Sequence, residues 1–219
     1  MKSSLKYLSE FFGTCSLLII IVGSGIMGDS LSHGNPAITL LANSIATGAG
    51  LYFLIQSLST ISGAHFNPAV SLVEYLNNKI SLKEFIIYSF SQISGGVLGV
   101  WITHAMFGKV IFQLSNQHRS EPRLLLSELI ATLGLISTIK LTGKNSPDKT
   151  PIAVSLYIVA AYWCTSSTSF ANPAVTIARS LTDTFSGIYW QDAPLFIAAQ
   201  LCGGLIWKSL TYTIFKNFS

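Results

Sequence analysis

Gly34–Val73 runs for 40 residues without a formally charged side chain. As one helix it would reach roughly 60 Å, about twice the hydrocarbon thickness of a bilayer. The run therefore has to fold back on itself. Thr150–Ala178 is also uncharged and too long for one crossing, with Pro173 in its later part. Around these runs lie Phe11–Gly28, Phe85–Phe107, Leu124–Leu141 and Ala193 to about Phe215, each close to the ~20 residues a spanning helix needs. Six crossings result, with two excess apolar segments left over.

Composition agrees. Half the residues are hydrophobic and 10% are charged, against about a quarter charged in soluble domains. The net charge of +4 is small and no basic patch is interleaved with aromatics, which argues against a nucleic-acid partner. The expected surroundings are membrane lipids. The run at 11–28 lacks the flanks of a cleavable signal. Cys15, Cys164 and Cys202 all fall in apolar segments and read as small buried hydrophobes. No metal-ligand spacing, nucleophile–base pair or phosphate-cradling loop stands out, so neither an enzyme nor a cofactor is expected. With the N-terminus in the cytoplasm, Lys2, Lys6, Lys79, Lys83, Lys140, Lys144, Lys149, Lys208 and Lys216 fall inside, and Lys109, Arg119, Arg123 and Arg179 outside. That balance favours cytoplasmic N- and C-termini.

The tripeptide Asn-Pro-Ala occurs three times, at Asn35, Asn67 and Asn172. Two copies belong to an internal repeat. "SGAHFNPAVSL" recurs as "STSFANPAVTI"; Ser9-Glu10 with Thr14 recurs as Ser127-Glu128 with Thr132; Gln92 with Gly95-Gly96 recurs as Gln200 with Gly203-Gly204. The halves run over about 5–107 and 122–215 of a single channel domain covering 1–219. Three crossings per half is an odd number, so the halves are inverted relative to one another.

Irregular backbone inside a membrane is tolerated where protein buries it or where it lines a wet cavity. Each excess segment is expected to enter as a loop, turn near the midplane and return as a half-helix. Asn67 and Asn172 suit the N-cap and Pro68 and Pro173 the first helical position, with Ala69 and Ala174 following. The two N-termini then meet at the bilayer centre, each carrying about half a positive charge. Carbonyls of Gly63, Ala64, His65 and Phe66, and of Thr168, Ser169, Phe170 and Ala171, would line the path. Asn35 has no apolar loop leading into it and lies roughly 37 Å of helix beyond Glu10, so it is read as an ordinary cap on the second span. The expected fold is an all-α membrane protein of six transmembrane helices plus two re-entrant half-helices.

Paired Asn-Pro-Ala half-helices, a Glu in spans one and four and a Gln-x-x-Gly in spans three and six resemble the aquaporin, or major intrinsic protein, family. The resemblance covers about Ser9 to Trp207. It implies a homotetramer with one pore per protomer in a plasma (inner) membrane, passing water or small neutral solutes, with Asn67 and Asn172 donating to the permeant. Most members carry Arg directly after the second triplet; here that residue is Val175. The other filter positions, counted from the motifs, are Thr47, Ala160 and Ser169. Read in this way the filter is small, uncharged and without an aromatic ring, which points to glycerol-like solutes. Thr47, Ala160, Val175 and the tail "ARSLTDTFSGI" resemble a bacterial branch associated with arsenic resistance, implying uncharged metalloid acids. A water-selective aquaporin is the alternative. From another class, a secondary transporter also uses midplane broken helices, although the midplane motifs here offer no titratable group.

Glu74 and Arg179 each stand seven residues after their Asn. They either face the two vestibules, or pair with loop charges or simply reach interfacial water. Glu10 and Glu128 are expected to support the re-entrant loops, and Gln92 and Gln200 the half-helix backbones. His65 reads as a pore-wall residue and His104 as structural.

Overall fold

The computed structural model describes residues 3–215. Lys2 and Lys216, used above in the charge count, lie outside the described residues. Among the described residues there are eight α-helices: α1 (Ser3–Leu31), α2 (Pro36–Ser62), α3 (Pro68–Leu76), α4 (Leu82–Met106), α5 (Pro122–Asn145), α6 (Thr150–Cys164), α7 (Pro173–Arg179) and α8 (Ala193–Phe215). Five of them, α1, α2, α4, α5 and α8, are long and apolar enough to cross a membrane. The sixth expected crossing is α6, which at 15 residues rises only about 22 Å. Its early end follows from sequence: Thr165-Ser166-Ser167-Thr168-Ser169 comes next, and Ser and Thr hydroxyls compete with the helical backbone for hydrogen bonds.

Local signals set the helix ends. The Asn35 carboxamide accepts from Ala37 N at 3.0 Å and Ile38 N at 3.4 Å, and Pro36 is the first residue of α2. Asn35 is exposed, so this triplet caps a helix far from the other two. Helix α2 stops at Gly63, whose φ of +91° only glycine adopts freely. A capping box starts α4: Ser81 Oγ accepts from Glu84 N at 3.2 Å, and the Glu84 carboxylate accepts from Ser81 N at 3.0 Å.

Helix α1 packs on α2 and α4; α5 packs on α6 and α8; α2 and α6 join the halves. The short helices cross over: α3 lies against α8 and α7 against α4. Glycines set these approaches. A Cβ at Gly95 would collide with the carbonyl of Phe11, and one at Gly203 would stand 2.5 Å from that of Leu129. Their neighbours face the other way. A Cβ on Gly96 would stand 3.6 Å from Ala174 O, and one on Gly204 3.8 Å from Ala69 O. Each Gly-Gly pair thus seats its helix on its own half with one residue and against the opposite half's short helix with the next.

Large apolar side chains cover the outside, among them Phe53, Phe90, Leu156 and Trp163. Cys164 and Cys202, expected to be buried, are exposed on this wall, while Cys15 is buried; all three are free. An apolar segment in a membrane protein does not have to face protein, because lipid is equally apolar.

Candidate functional site

The two re-entrant loops have one backbone design. Ala64 and Phe66 have φ of +50° and +48°; Ser169 and Ala171, at the same distances before Asn172, have +50° and +49°. Thr168 adds a fifth at +62°. Non-glycine residues in this region cost on the order of 1–2 kcal/mol each, so something must hold them. Two buried carboxylates do. Glu10 accepts from His65 N at 3.0 Å, Phe66 N at 2.7 Å and Ser62 Oγ at 2.6 Å. Glu128 accepts from Phe170 N at 2.9 Å and Ala171 N at 2.8 Å. Behind each stands a glutamine: Gln92 Nε2 donates to Glu10 at 2.8 Å and Ser71 Oγ at 3.0 Å, and Gln200 Nε2 donates to Glu128 at 2.7 Å and Thr176 Oγ1 at 2.9 Å. Ser71 and Thr176 are each four residues past their Asn, so each glutamine ties its loop's carboxylate to its own half-helix.

At the centre the half-helices meet N-terminus to N-terminus. Asn67 Oδ1 caps Ala69 N at 2.9 Å, and Asn172 Oδ1 caps Ala174 N at 2.9 Å and Val175 N at 3.3 Å. The amide nitrogens reach across. Asn67 Nδ2 donates to Ala171 O at 2.7 Å, and Asn172 Nδ2 donates to Phe66 O at 2.8 Å. Each asparagine thus closes the loop of the other half. A carboxamide has two N–H groups, so one on each remains for whatever occupies the cavity that both residues line.

That cavity measures about 260 Å³. Helix α3 leads away from the centre to Glu74 and α7 leads the opposite way to Arg179, and both of those residues line it. Gly63, Ala64, His65 and Phe66 contribute one loop, and Ser169 and Phe170 the other. Thr168 and Ala171 are not among its lining. Leu17, Ile21, Val154 and Ile158 form an apolar wall.

Of the four residues counted as a filter, Thr47, Ser169 and Val175 line the cavity. Ala160 does not: it is exposed on the outside of α6. The lining face of α6 is Val154, Ile158 and Tyr162, a four-residue step on a 3.6-residue helix, and position 160 lies roughly 200° around from 158. Tyr162 Oη stands 3.3 Å from Thr47 Oγ1. The expectation that the filter beside Thr47 has no aromatic ring is therefore corrected. Tyr162, Phe170 and Arg179 all border the cavity, and sequence reasoning passed over Tyr162 entirely.

Of the two charges left open, Glu74 both lines the cavity and pairs with Lys140, which comes from α5 rather than from a loop. Arg179 is 2% exposed, donates through Nε to the Ser186 carbonyl and lies with Cζ 3.4 Å from the centre of the Phe170 ring. Arg119, in the loop before α5, has its Cζ 5.2 Å from the same ring and donates through Nε to Gly187 O at 2.9 Å. Burial pulls the Arg119 guanidinium below its ordinary range, and the negative charge of Glu128 opposes that pull. His65 lines the cavity, with Nδ1 3.0 Å from Ser71 Oγ. His104 lies elsewhere, with Nδ1 2.8 Å from Ile111 O and Nε2 2.8 Å from Thr182 Oγ1. A carbonyl can only accept, so Nδ1 carries a proton.

Comparison with known proteins agrees with this geometry. The sequence profile of the family described as "Major intrinsic protein" matches residues 1–150. The chain is 45% identical over 200 residues to the aquaglyceroporin AqpS of Rhizobium meliloti (strain 1021), covering 91% of this chain and 85% of that protein. It is 30% identical over 202 residues to an aquaglyceroporin of Toxoplasma gondii (strain ATCC 50611 / Me49), covering 90% of this chain and 71% of that protein. The X-ray structure of the aquaglyceroporin from Plasmodium falciparum superposes with a TM-score of 0.79 at 19% identity, covering 97% of this chain and 96% of that one.

Proposed function

The chain belongs to the major intrinsic protein family and is a multi-pass membrane channel for water and small solutes, and from that premise we propose that its path admits neutral solutes larger than water, of the glycerol or uncharged metalloid-acid type. The observation that carries the reading is the lining of the single cavity that joins Glu74 to Arg179 past Asn67 and Asn172. At its centre the spare N–H groups of the two asparagines face an apolar wall, which suits a solute with hydroxyl oxygens on one side and carbon or a bare metalloid on the other. The half-helix N-termini put positive potential there, which repels cations without binding a neutral oxygen tightly. Directly after the triplet, Val175 leaves open the space a longer basic side chain would fill. Thr47, Tyr162 and Ser169 complete that level of the path, and Arg179 faces the outer vestibule about 6 Å farther along α7.

In this reading Glu10, Glu128, Gln92 and Gln200 position the loops and do not touch the permeant. Both termini are cytoplasmic in an inner membrane, which places Glu74 at the inner mouth. The whole chain acts as one channel domain, and four copies assemble with a path in each. The relatives are channels, and passive conduction without enzymatic turnover is what the amides and carbonyls of this site support.

The test is stopped-flow swelling of proteoliposomes in gradients of glycerol and arsenous acid, with osmotic water flux alongside. Rates should rise linearly with solute. Fast water flux with no glycerol or arsenous acid entry would leave a water-selective channel, and saturable, ion-coupled uptake would point to a transporter. Val175→Arg should close the path to glycerol while sparing water.

A further inference from the structure

Thr150 Oγ1, at the start of α6, is one buried hydrogen-bonding atom of the cavity wall with no protein partner; Nη1 of Arg179 and Oγ of Ser169 are two more. Arg179 and Ser169 are 2% and 3% exposed. A buried, unpaired donor on a charged group carries a penalty above that of a neutral one, so a native fold normally satisfies it or holds it ready for a ligand. Arg179 is not loose. Its Nε is bound to the Ser186 carbonyl and its guanidinium lies on the face of Phe170, the chain neighbour of Ser169. The planar group is therefore clamped on one edge and one face, with Nη1 left over. No carboxylate pairs with Arg179 among the described residues. Glu128 is engaged by Phe170 N, Ala171 N and Gln200, and the second guanidinium near the Phe170 ring, that of Arg119, adds to the positive charge.

We propose that Arg179 and Ser169 form a binding subsite for a small monovalent oxyanion, held by a charge-assisted hydrogen bond from Nη1 and by the Ser169 hydroxyl. The inference rests on the reading of this cavity as the conduction path, and its consequence is regulatory. An anion seated at the Arg179 mouth stands in the way of neutral solutes and slows them.

The experiment uses the full chain in proteoliposomes, with glycerol swelling measured in sodium nitrate and in sodium gluconate of equal ionic strength, gluconate serving as the bulkier reference anion. Nitrate should lower the wild-type rate saturably, by about twofold when its concentration equals its Kd. Each variant is compared with its own rate in gluconate. Arg179→Gln should lose the nitrate effect, Ser169→Ala should weaken it, and Arg179→Lys should keep part of it. Equal wild-type rates in the two salts would overturn the proposal, as would undiminished inhibition in Arg179→Gln. Should that variant not fold, undiminished inhibition in Ser169→Ala overturns it instead. Failure of glycerol to enter in gluconate sinks only the wide-path reading, and the nitrate comparison is then made on water flux.

Discussion

Glu128 accepts from two consecutive backbone amides, Phe170 N at 2.9 Å and Ala171 N at 2.8 Å, while Gln200 bonds the carboxylate from behind. A glutamine there could keep one acceptor oxygen but would turn an NH2 group toward one of its three donors. We predict that Glu128→Gln lowers stability by about 1–3 kcal/mol, the range for a buried donor left unsatisfied. Thermal unfolding of the purified protein in detergent measures this, and an unchanged midpoint would refute the positioning role. The same residue scale shows what a sequence can and cannot index. Arg179 and Glu74 were located by counting seven residues within a helix, and Thr47 by counting back mostly along α2, where rise per residue is constant. Ala160 was located by counting back from Asn172 across Thr165–Ala171, which is not helical. Extended and left-handed residues advance the chain by a different amount per residue, so the count slipped and missed Tyr162. Substitution separates the two positions. Tyr162→Ala should raise the relative permeability of a polyol longer than glycerol, whereas Ala160→Phe, on the exposed side of α6, should leave the glycerol-to-water ratio as in the wild type. Stopped-flow swelling reads both.

Helix α4 lies close enough to α1 that a Cβ on Gly95 would collide with the Phe11 carbonyl, and Gly203 on α8 meets Leu129 of α5 in the same way. A backbone carbonyl cannot rotate aside, so the helices have to separate. Gly95→Ala and Gly203→Ala should each destabilise by about 1–3 kcal/mol, as overpacking does. Gly143→Ala is the control: its Cβ would find nothing nearer than Thr150 Oγ1 at 4.0 Å, and in a helix alanine is favoured by up to about 1 kcal/mol. Denaturation midpoints of the three variants decide it; equal destabilisation of all three would refute the close-approach explanation. At this scale the sequence was legible wherever it repeated. Gly95-Gly96 and Gly203-Gly204 stand out because they recur beside Gln92 and Gln200, and the role of Asn35 was clear because no apolar loop precedes it. The brevity of α6 was hidden, because the uncharged run continues through Cys164 into the loop and hydropathy alone does not mark where a helix gives way to extended chain.

The two halves hold one another at several levels. Helix α3 of the first packs on α8 of the second, α7 of the second packs on α4 of the first, and Glu74 pairs with Lys140 across the divide. Because that ion pair is mostly buried, removing one partner leaves a charge facing the cavity unpaired. We expect Lys140→Met to lower stability more than the double variant Glu74→Gln with Lys140→Met, and additive effects of the two single changes would argue against coupling. The tightest tie is at the midplane, where Asn67 donates to Ala171 O and Asn172 to Phe66 O. Residues 1–120 and 121–219 produced as separate chains should conduct only when made together, as swelling of vesicles containing one or both would show. The same tie sets an order of events during synthesis. When Asn67 leaves the ribosome its acceptor lies 104 residues downstream, so the first loop has to wait, its left-handed turns held only from within its own half by Glu10 and Ser62, until the second is inserted. Closure of the channel's waist is thus a late step of biogenesis, and a nascent chain stalled before residue 171 carries an unfinished pore.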